Sequence, residues 1–414
     1  MPFNIGLSGL NAAQADLQTT GNNVSNSGTT GFKRSRAEFG DVFAQSFGGI
    51  SQTAIGSGTR LQAVTQQFSQ GRTEFTENGL DLAINGEGFF VLNDQGSTVY
   101  SRAGAFQVDR DGYLVNNQGL RLRGYDEAGG TNLGDLRLQT DTAAPQATEN
   151  LEALINLRSD AATLSADPDD FVLDDPETYN FSTSLTMYDS LGIARDANLY
   201  FVKTAQNEWN AHVAVRRDDG NLEELANYGG GDPGPLGLEF DVNGQLVDVD
   251  PPAEGLTVPG GSLDGADDLV FDIDFDGTTQ FGGQFSVNDL NQDGFASGQL
   301  TGIDIDQTGV VFARFTNGQS SVLGQLALAN FPNPQGLEQL GDNNWAETFA
   351  AGDVRLDRPG SSNLGSVQAG ALEASNVDIA QELVNLITAQ RNFQANAQTI
   401  STADQVTQTI INIR

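Results

Sequence analysis

Apolar residues in the C-terminal part of the chain recur at steps of three and four. This spacing places them on one face of an α-helix and predicts a helix of about 35 residues. No glycine or proline follows Gly370 to interrupt this helix. The pair Ser375-Asn376 offers an N-cap, and Asp378 suits the first turn. The apolar stripe consists of Ile379, Leu383, Leu386, Ala389, Phe393, Ala397, Ile400, Ala403, Val406, Ile410 and Ile413.

The N-terminal segment shows a matching pattern. Its apolar residues recur every seven positions, with Leu7 and Ala13 between them, and Pro2 suits a first helical turn. Gly6 and Gly9 each weaken a helix by about 1 kcal/mol relative to alanine. A helix this short with two glycines is not stable alone in water, so we expect it to pair with the C-terminal helix. The heptad positions are Phe3, Leu10, Leu17 and Val24.

The polar faces of both predicted helices carry Asn, Gln, Ser and Thr in place of the usual Glu and Lys. One interpretation is a helical hairpin that closes an ordinary globular protein. The other is that these neutral faces are buried against copies of the same chain or line a neutral channel, since amides pack between subunits without charge repulsion. We predict self-assembly through Leu7, Leu10, Leu17, Val24, Ile379, Leu383, Leu386, Phe393 and Ile400.

The chain between the two helices has the pattern of a β protein. Residues 80–127 alternate apolar and polar positions and contain turn dipeptides such as Asn85-Gly86 and Asp111-Gly112, and residues 309–331 continue the pattern. The central block has strands of its own at 182–187, 198–202, 209–215 and 269–275. We therefore predict a multidomain protein of mainly β domains with long α-helical N- and C-termini.

Four parts follow from these patterns. The terminal helices, at 1–27 and 372–414, pair as a coiled-coil-like inner domain, and 28–71 is a connector. Residues 72–148 and 290–371 form a β-rich core domain, and 149–289 form an inserted acidic β domain that faces outward.

Charge supports this division and excludes several functions. The 414 residues include 55 acidic and 20 basic residues, a net charge of -35, and residues 149–289 hold 29 acidic residues against five basic ones. Charge of this density must face solvent. It argues against nucleic acid or an anionic membrane as partner, because phosphate binding needs clustered Lys and Arg. There is no cysteine and no run of 18 apolar residues, and the first residues do not form an ordinary signal peptide.

Candidate chemical sites are few. His212 is the only histidine and lies on the strand face opposite Trp209, which favours a polar-face strand residue. The segment Asp289–Gly294 begins like a calcium loop but has Leu300 at the twelfth position, so we interpret it as a turn between strands. Asp272, Asp274 and Asp276 share one strand face and are interpreted as a solvated face. We predict no catalytic residue, no metal site and no cofactor.

Several motifs resemble those of the bacterial flagellar rod and hook axial proteins. At the N-terminus they are Ser8–Ala13, Asp16-Leu17, Gly21–Asn26 and Thr30–Lys33; at the C-terminus they are Glu382–Ile387 and Gln390–Asn396. The segments Asp81–Phe90 and Arg102–Leu114 also fit. The insert, with Asn333–Leu337 and Trp345–Phe349, is similar to that of hook-type members of this family.

The resemblance implies a structural subunit that is exported unfolded through the flagellar type III apparatus and located outside the cell. It implies a homopolymer in the form of a curved hollow tube, which joins rod to filament and transmits torque as a universal joint. The implied partners are other copies of the chain, rod, hook cap and hook-filament junction proteins, with no nucleic acid and no membrane insertion. The alternatives are a distal-rod-type subunit and a secreted acidic adhesin that binds calcium or carbohydrate.

Overall fold

The computed structural model describes residues 2–42, 56–126, 130–138, 142–165, 167, 170–217, 220–225, 235–361 and 363–412. Contacts divide the chain into two compact units. Unit 1 comprises Met1–Thr140, Thr301–Arg314 and Ser320–Arg414, and unit 2 comprises Asp141–Leu300 and Phe315–Gln319. The protein is mainly β with one long helix at each end, which confirms the predicted fold class.

The first part of unit 1 begins with helix α1 and continues as short strands. Strands β1 and β2 form an antiparallel pair of their own. The bounds are α1 Pro2–Ser25, β1 Ser35–Asp41, β2 Thr59–Gln66, β3 Thr73–Phe75, β4 Leu82–Asn85, β5 Phe89–Asp94, β6 Ser97–Ser101, β7 Phe106–Val108, β8 Leu114–Asn116, β9 Arg121–Tyr125 and β10 Leu133–Asp135.

Unit 2 follows as two sheets. In one sheet, strand β11 pairs with β19, β20 and β21, and β18 pairs with β19. Strands β12 to β17 form the other sheet. The bounds are β11 Asn150–Arg158, β12 Phe181–Tyr188, β13 Ala194–Ala205, β14 Glu208–Arg216, β15 Leu222–Glu224, β16 Leu236–Phe240, β17 Leu246–Asp250, β18 Leu256–Val258, β19 Leu269–Asp274, β20 Thr279–Phe281 and β21 Ser286–Gln292.

The chain then returns to unit 1 and ends in helix α2. Strands β29 and β30 pair with β4 and β3, so the segment that leads into α2 is held against the segment that follows α1. The bounds are β22 Leu300–Ile305, β23 Val310–Phe315, β24 Ser320–Leu326, β25 Leu328–Asn330, β26 Glu338–Gly341, β27 Asn344–Ala346, β28 Arg355–Asp357, β29 Ser366–Ala369, β30 Ala371–Glu373 and α2 Ile379–Asn412.

Strand β5 shows how unit 1 is packed, because both of its faces are buried. Phe90 and Leu92 point into one hydrophobic cluster, whereas Phe89 and Val91 point into a second cluster that contains Trp345. The alternation of a strand assigns successive side chains to opposite faces, so four consecutive residues serve two cores. In unit 2 one core is shared by residues of both sheets, and Trp209 is completely enclosed in it.

The four strands predicted in the central block are confirmed as β12, β13, β14 and β19. The segment 28–71 is more than a connector, because it contains β1 and β2. The prediction that Asp289–Gly294 is a turn was wrong for its first four residues, which belong to β21. Asp293 follows and accepts hydrogen bonds from the backbone N–H groups of Glu149 and Asn150.

His212 lies on the strand face opposite Trp209, as predicted, but that face is not solvated. The side chain is only 2% exposed, its ring stacks on Phe171 with 3.9 Å between centroids, and Nδ1 lies 2.5 Å from Oε1 of Glu224. A segment distant in sequence covers this face, which the strand pattern alone does not reveal. Asp272, Asp274 and Asp276 are exposed, as predicted.

Candidate assembly surface of the terminal helices

Helices α1 and α2 pack against each other in antiparallel orientation, and two glycines of α1 lie where α2 comes closest. A Cβ atom on Gly6 would lie 2.9 Å from Cγ1 of Ile400, and one on Gly9 would lie 2.4 Å from Oδ1 of Asn396. At the other end of the pair, Nδ2 of Asn23 donates to Oε2 of Glu382 at 3.3 Å. The glycines that weaken α1 by propensity therefore allow it to approach α2.

The seam between the helices is narrow. Ala13 of α1 and Ala389 of α2 are buried within it. Six of the predicted assembly residues are half-buried along the two helices, so part of each apolar side chain remains accessible: Leu10, Leu17, Val24, Leu386, Phe393 and Ile400.

The other predicted assembly residues face outward. Leu7 is 53% exposed, Ile379 50% and Leu383 46%. The structure does not bring these three together, since Leu7 and the first turns of α2 are at opposite ends of the pair. Further apolar side chains are exposed on the same helices: Phe3, Ile5, Val384, Ile387, Val406, Ile410 and Ile411. Single exposed apolar residues are ordinary, whereas extended exposed apolar patches are typical of interaction surfaces.

Helix α2 is longer than α1, with 34 residues against 24. Because Gly6 lies against Ile400, the first residue of α1 lies at the level of about residue 404 of α2. Every described residue from 404 to 412 is exposed. The last turns of α2 therefore extend beyond α1, and of the described α1 residues Phe3 lines one groove with Val406 and Ile410.

The attachment of both helices to the β part of unit 1 converges on Glu373, the last residue of β30. Its carboxylate is fully buried and accepts hydrogen bonds from Lys33 Nζ at 2.7 Å, Arg102 Nη1 at 3.0 Å and the Gly71 backbone N–H at 2.7 Å. Lys33 follows α1, Arg102 follows β6, and Glu373 precedes α2. One carboxylate thus joins the segments next to both helices to the β core.

The two cations of this triad are buried as well. Lys33 is 1% exposed, and its ammonium group also donates to the Ser69 carbonyl at 2.9 Å. Arg102 Nη2 donates to the Gly86 carbonyl at 2.8 Å. Burial alone would raise the pKa of Glu373, but the charges of Arg102 and Lys33 and their hydrogen bonds outweigh it and hold this pKa below its usual value. Burial lowers the pKa of Lys33 despite the adjacent carboxylate.

A second polar cluster lies where α1, α2 and β1 meet. Glu382 of α2 is buried and is paired with Arg34, whose Nη1 lies 3.4 Å from Oε1. Asn23 of α1 links the cluster to β1 by accepting from the Ser35 N–H at 2.9 Å and donating to the Ser35 carbonyl at 2.8 Å. Asp16 lines the open groove beside these groups. Burial and the negative charge of Glu382 raise the pKa of Asp16.

The start of α2 differs from the sequence prediction. Asp378, not Ser375 or Asn376, is the N-cap, since its Oδ1 accepts hydrogen bonds from the N–H groups of Ala380 and Gln381 at 2.9 and 3.2 Å. Asn376 instead accepts from the N–H of Arg34 at 2.7 Å. In the sequence, Asn376 resembles an N-cap because it lies so close to the start of α2. In the structure its side-chain oxygen instead binds the backbone of Arg34, in the segment that follows α1.

Sequence reasoning missed the triad of Lys33, Arg102 and Glu373. Lys33 offered one signal, because only two lysines occur in the whole chain and this one follows a glycine and a phenylalanine next to a helix. The partners are separated from it by 69 and 340 positions, and no local pattern links them. Among the described residues, no group of three or more His, Cys, Asp and Glu side chains is placed to hold a metal ion. None of the described helices has the length and apolarity to cross a membrane.

Comparison with known protein families gives four matches along the chain. Residues 3–33 match the family "Flagella basal body rod protein", and 83–169 match "Flagellar hook protein FlgE/F/G D1 domain". Residues 156–295 match "Flagellar basal body protein FlaE D2 domain", and 368–413 match "Flagellar basal body rod FlgEFG protein C-terminal". These matches define the class as an axial protein of the bacterial flagellum.

Relatives define the family more narrowly. The chain is 38% identical to the flagellar hook protein FlgE of Escherichia coli K12 and 39% identical to that of Salmonella typhimurium LT2, each over the whole of both chains. It is 32% identical to FlgE of Borreliella burgdorferi over 99% of this chain and 98% of the other. The chain therefore belongs to the flagellar hook protein family, and the resemblance drawn from its motifs is confirmed.

A solved structure agrees on the fold. The crystal structure of the Helicobacter pylori flagellar hook protein FlgE2 superimposes with a TM-score of 0.54, at 14% sequence identity, over 73% of this chain and all of the other. At this identity the likeness concerns the fold alone, and it supports a multidomain β architecture.

Proposed function

We propose that the chain is the repeating structural subunit of a flagellar hook and that copies assemble through the faces of α1 and α2. The observation that carries the proposal is the full-length match to hook proteins, which includes the whole of unit 2. This match favours the hook over a distal-rod-type subunit and over an acidic adhesin. The family is one of structural proteins, which agrees with the lack of a predicted catalytic residue.

The helix faces supply the driving force for assembly. Each exposed Leu or Ile that becomes fully buried contributes about 1.5–3 kcal/mol, and two helices offer several such residues per copy. This gain must offset the entropy of ordering side chains and of joining copies, and the repetition of the contact along a polymer makes that possible. The neutral Asn, Gln, Ser and Thr between the apolar residues can be enclosed without charge repulsion.

The wider features follow from family membership and stay part of the proposal. The polymer is a curved hollow tube outside the cell that joins rod to filament and transmits torque while it bends. The chain reaches it by export through the flagellar channel, and its partners are rod, cap and junction proteins. The strongly negative part of the chain, 149–289, faces solvent, where water and ions screen repulsion between copies.

Leu383→Asp tests assembly through the helices. Leu383 is nearly half exposed, so a charge at this position leaves the folded chain close to its parent stability but places a carboxylate in the proposed contact. We expect folded, soluble chain with an unchanged melting temperature and at least a roughly tenfold loss of sedimentable polymer, since about 1.4 kcal/mol per contact suffices for this. Sedimentation and negative-stain electron microscopy measure the result.

Two matched variants complete the experiment. Leu383→Gln removes apolar surface without adding charge and should give an intermediate loss, whereas Val242→Asp, at a 94% exposed position of unit 2, should polymerise like the parent. Parent-like tubes from Leu383→Asp would contradict assembly through this face. Absence of polymer from the parent chain itself, at any concentration and with seeds, would contradict the proposed function as a whole.

A further inference from the structure

Charged residues are scarce on the two terminal helices. Helix α1 carries a single charged side chain, Asp16, and the described part of α2 carries three, Glu382, Arg391 and Asp404. On surfaces that are otherwise neutral, each charge needs a partner if assembly removes it from water, because an unpaired buried ion costs several kcal/mol.

One of the four is paired with a cation: Glu382 is buried beside Arg34. Asp404 is exposed where α2 begins to extend past α1, and it accepts a hydrogen bond only from the neutral Nε2 of Gln408 at 3.0 Å among the described residues. Within the described ranges, neither Asp16 nor Arg391 takes part in a hydrogen bond or an ion pair. The part of the helix pair in which α1 and α2 lie side by side therefore presents one unpaired anion and one unpaired cation.

The register of the helices places these two charges at the same level. Asn23 contacts Glu382 and Gly9 lies against Asn396, so residue 16 lies beside residues 389 and 390. Ala389 is fully buried in the seam, while Arg391, about 200° further around the helix, is exposed on another side of α2. Asp16 lines the groove beside β1. Within one copy, the side chains of Asp16 and Arg391 thus lie at the same level along the helix axes but point in different directions.

This arrangement fits a contact between neighbouring copies. A heterologous interface joins two different surface patches, and repeated application of one such contact generates an open helical polymer. A guanidinium group suits the contact, because its planar set of donors can bind a carboxylate through two parallel hydrogen bonds. The groove that holds Asp16 is open, so an arginine from outside can reach the carboxylate. Arg34 and Arg36 line the same groove, but they are paired with Glu382 and Glu38. Burial and the negative charge of Glu382 raise the pKa of Asp16, which agrees with a carboxylate that has no cation paired with it in the single copy.

We propose that Arg391 of one copy pairs with Asp16 of a neighbouring copy in the assembled polymer. The inference rests on the proposed function, since it names a specific contact within the self-assembly described above. The partner is assigned by charge complementarity. The groove that Asp16 lines binds a second copy of this chain, and Arg391, the one unpaired cation on the described part of α2, enters it from that copy.

Charge reversal tests the pair. Asp16→Arg and Arg391→Asp should each raise the protein concentration needed for polymerisation about tenfold or more, because each places like charges in the contact. The double variant, with both reversals, should recover at least half of the parent polymer yield. Far-UV circular dichroism and thermal unfolding of the dilute chains check that the single variants remain folded.

A mixing experiment then separates contacts between copies from contacts within one. Chains with Asp16→Arg carry two arginines at the contact, and chains with Arg391→Asp carry two aspartates. Each fails alone, but an equal mixture restores opposite charges wherever unlike copies meet, so the mixture should polymerise and both variants should appear in the pellet in equal amounts. An ion pair formed within one chain cannot be restored by mixing.

Asp404→Arg serves as the matched control, with the same change of charge on the same helix pair. It should not be rescued by Arg391→Asp. Parent-like assembly of both single reversals, or a double variant as defective as the two singles combined, would overturn the pairing while leaving the proposed function intact. If Asp404→Arg instead shows the rescue, Asp404 is the partner and the assignment to Asp16 is wrong. Failure of the parent chain to polymerise would overturn the function itself.

Discussion

Glu373 illustrates how a single residue can attach two helices that are far apart in sequence to the same β core. It is buried with two cations, and a buried carboxylate is tolerated only where charges and hydrogen bonds surround it. Lys33 and Arg102 supply the charges. Gly71 can come close enough to donate its N–H because it has no side chain: a Cβ at this position would lie only 1.9 Å from the Ala374 carbonyl oxygen. Charge, hydrogen bonding and close backbone approach all act at this one carboxylate.

Replacement of this carboxylate should be costly. Glu373→Gln leaves Lys33 and Arg102 buried without a counter-charge, and removal of one partner from a buried ion pair typically costs about 3–5 kcal/mol. We expect a loss of this size in the free energy of unfolding of the dilute chain, measured by denaturant titration with fluorescence and circular dichroism. The loss should concern unit 1, which contains all three residues.

Glu38→Gln is the matched control, because Glu38 pairs with Arg36 at the surface and its loss should leave stability unchanged. The pH dependence gives a second check. A carboxylate with a lowered folded pKa stabilises fully above its unfolded pKa, here 4.5, and the stabilisation disappears as pH falls through the folded value. The difference between parent and Glu373→Gln should therefore narrow in acid. A difference that is constant down to pH 2 would contradict this role.

The sequence predicted the contacts of individual residues less well than the secondary-structure elements or the fold. It identified the apolar residues of both helices, whose assembly role stays a prediction, but not the buried triad. Lys33 and Glu373 are polar residues in segments without periodicity, and only the fold brings them within 2.7 Å. The burial of His212 was missed for the same reason, because the covering residue Phe171 belongs to a different segment.

At the scale of elements, the glycines of α1 show that one residue type can serve different purposes. Gly9 lies where α2 approaches, whereas a Cβ on Gly21 would meet nothing within 4 Å. Helix propensity alone treats the two alike, since each glycine costs about 1 kcal/mol relative to alanine. Packing distinguishes them.

Alanine substitutions test this difference. Gly21→Ala should stabilise α1 by about 0.5–1 kcal/mol, because it gains propensity and encounters no neighbour. Gly9→Ala gains the same propensity but forces the side chain of Asn396 to move, so we expect no net gain and weaker protection of both helices. Amide hydrogen exchange of the dilute chain, read over α1 and α2, measures both. Equal gains in the two variants would contradict a close contact at Gly9.

Elements with at least one buried face were predicted well from the pattern, and elements without one were not. Strands β12 and β19 alternate between less and more exposed positions, which makes their period visible, whereas β13 and β14 are buried on both faces over their central residues. Strands β1 and β2 are mostly accessible along their whole length, and no apolar alternation marks them. The helices were visible because their stripes are long, although the cap at Asp378 shows that ends are harder to place than centres.

At the scale of the whole molecule, charge and assembly oppose each other. Each copy carries a net charge of -35, most of it in the central block, and copies that associate bring like charges together. Salt screens such repulsion over about 10 Å at 0.1 M ionic strength, whereas a pair enclosed in an interface is screened much less. Added salt should therefore favour association more than it weakens the contacts of the helices.

We expect the yield of polymer to rise between about 0.01 and 0.15 M ionic strength, measured by sedimentation at fixed protein concentration. Sodium, potassium and calcium chlorides at matched ionic strength should act alike, since the effect is general screening. A yield that falls with salt would show that surface ion pairs dominate assembly. A response to calcium alone would indicate a specific cation site instead.

The unequal lengths of the two helices have a consequence for how a polymer grows. The last turns of α2 extend past α1, and the described residues 404–412 are all exposed. If copies assemble through these helices as proposed, each added copy would cover the exposed end of α2 of the copy before it and present its own. Because this segment extends from one end of the helix pair, we expect the polymer to elongate in one direction.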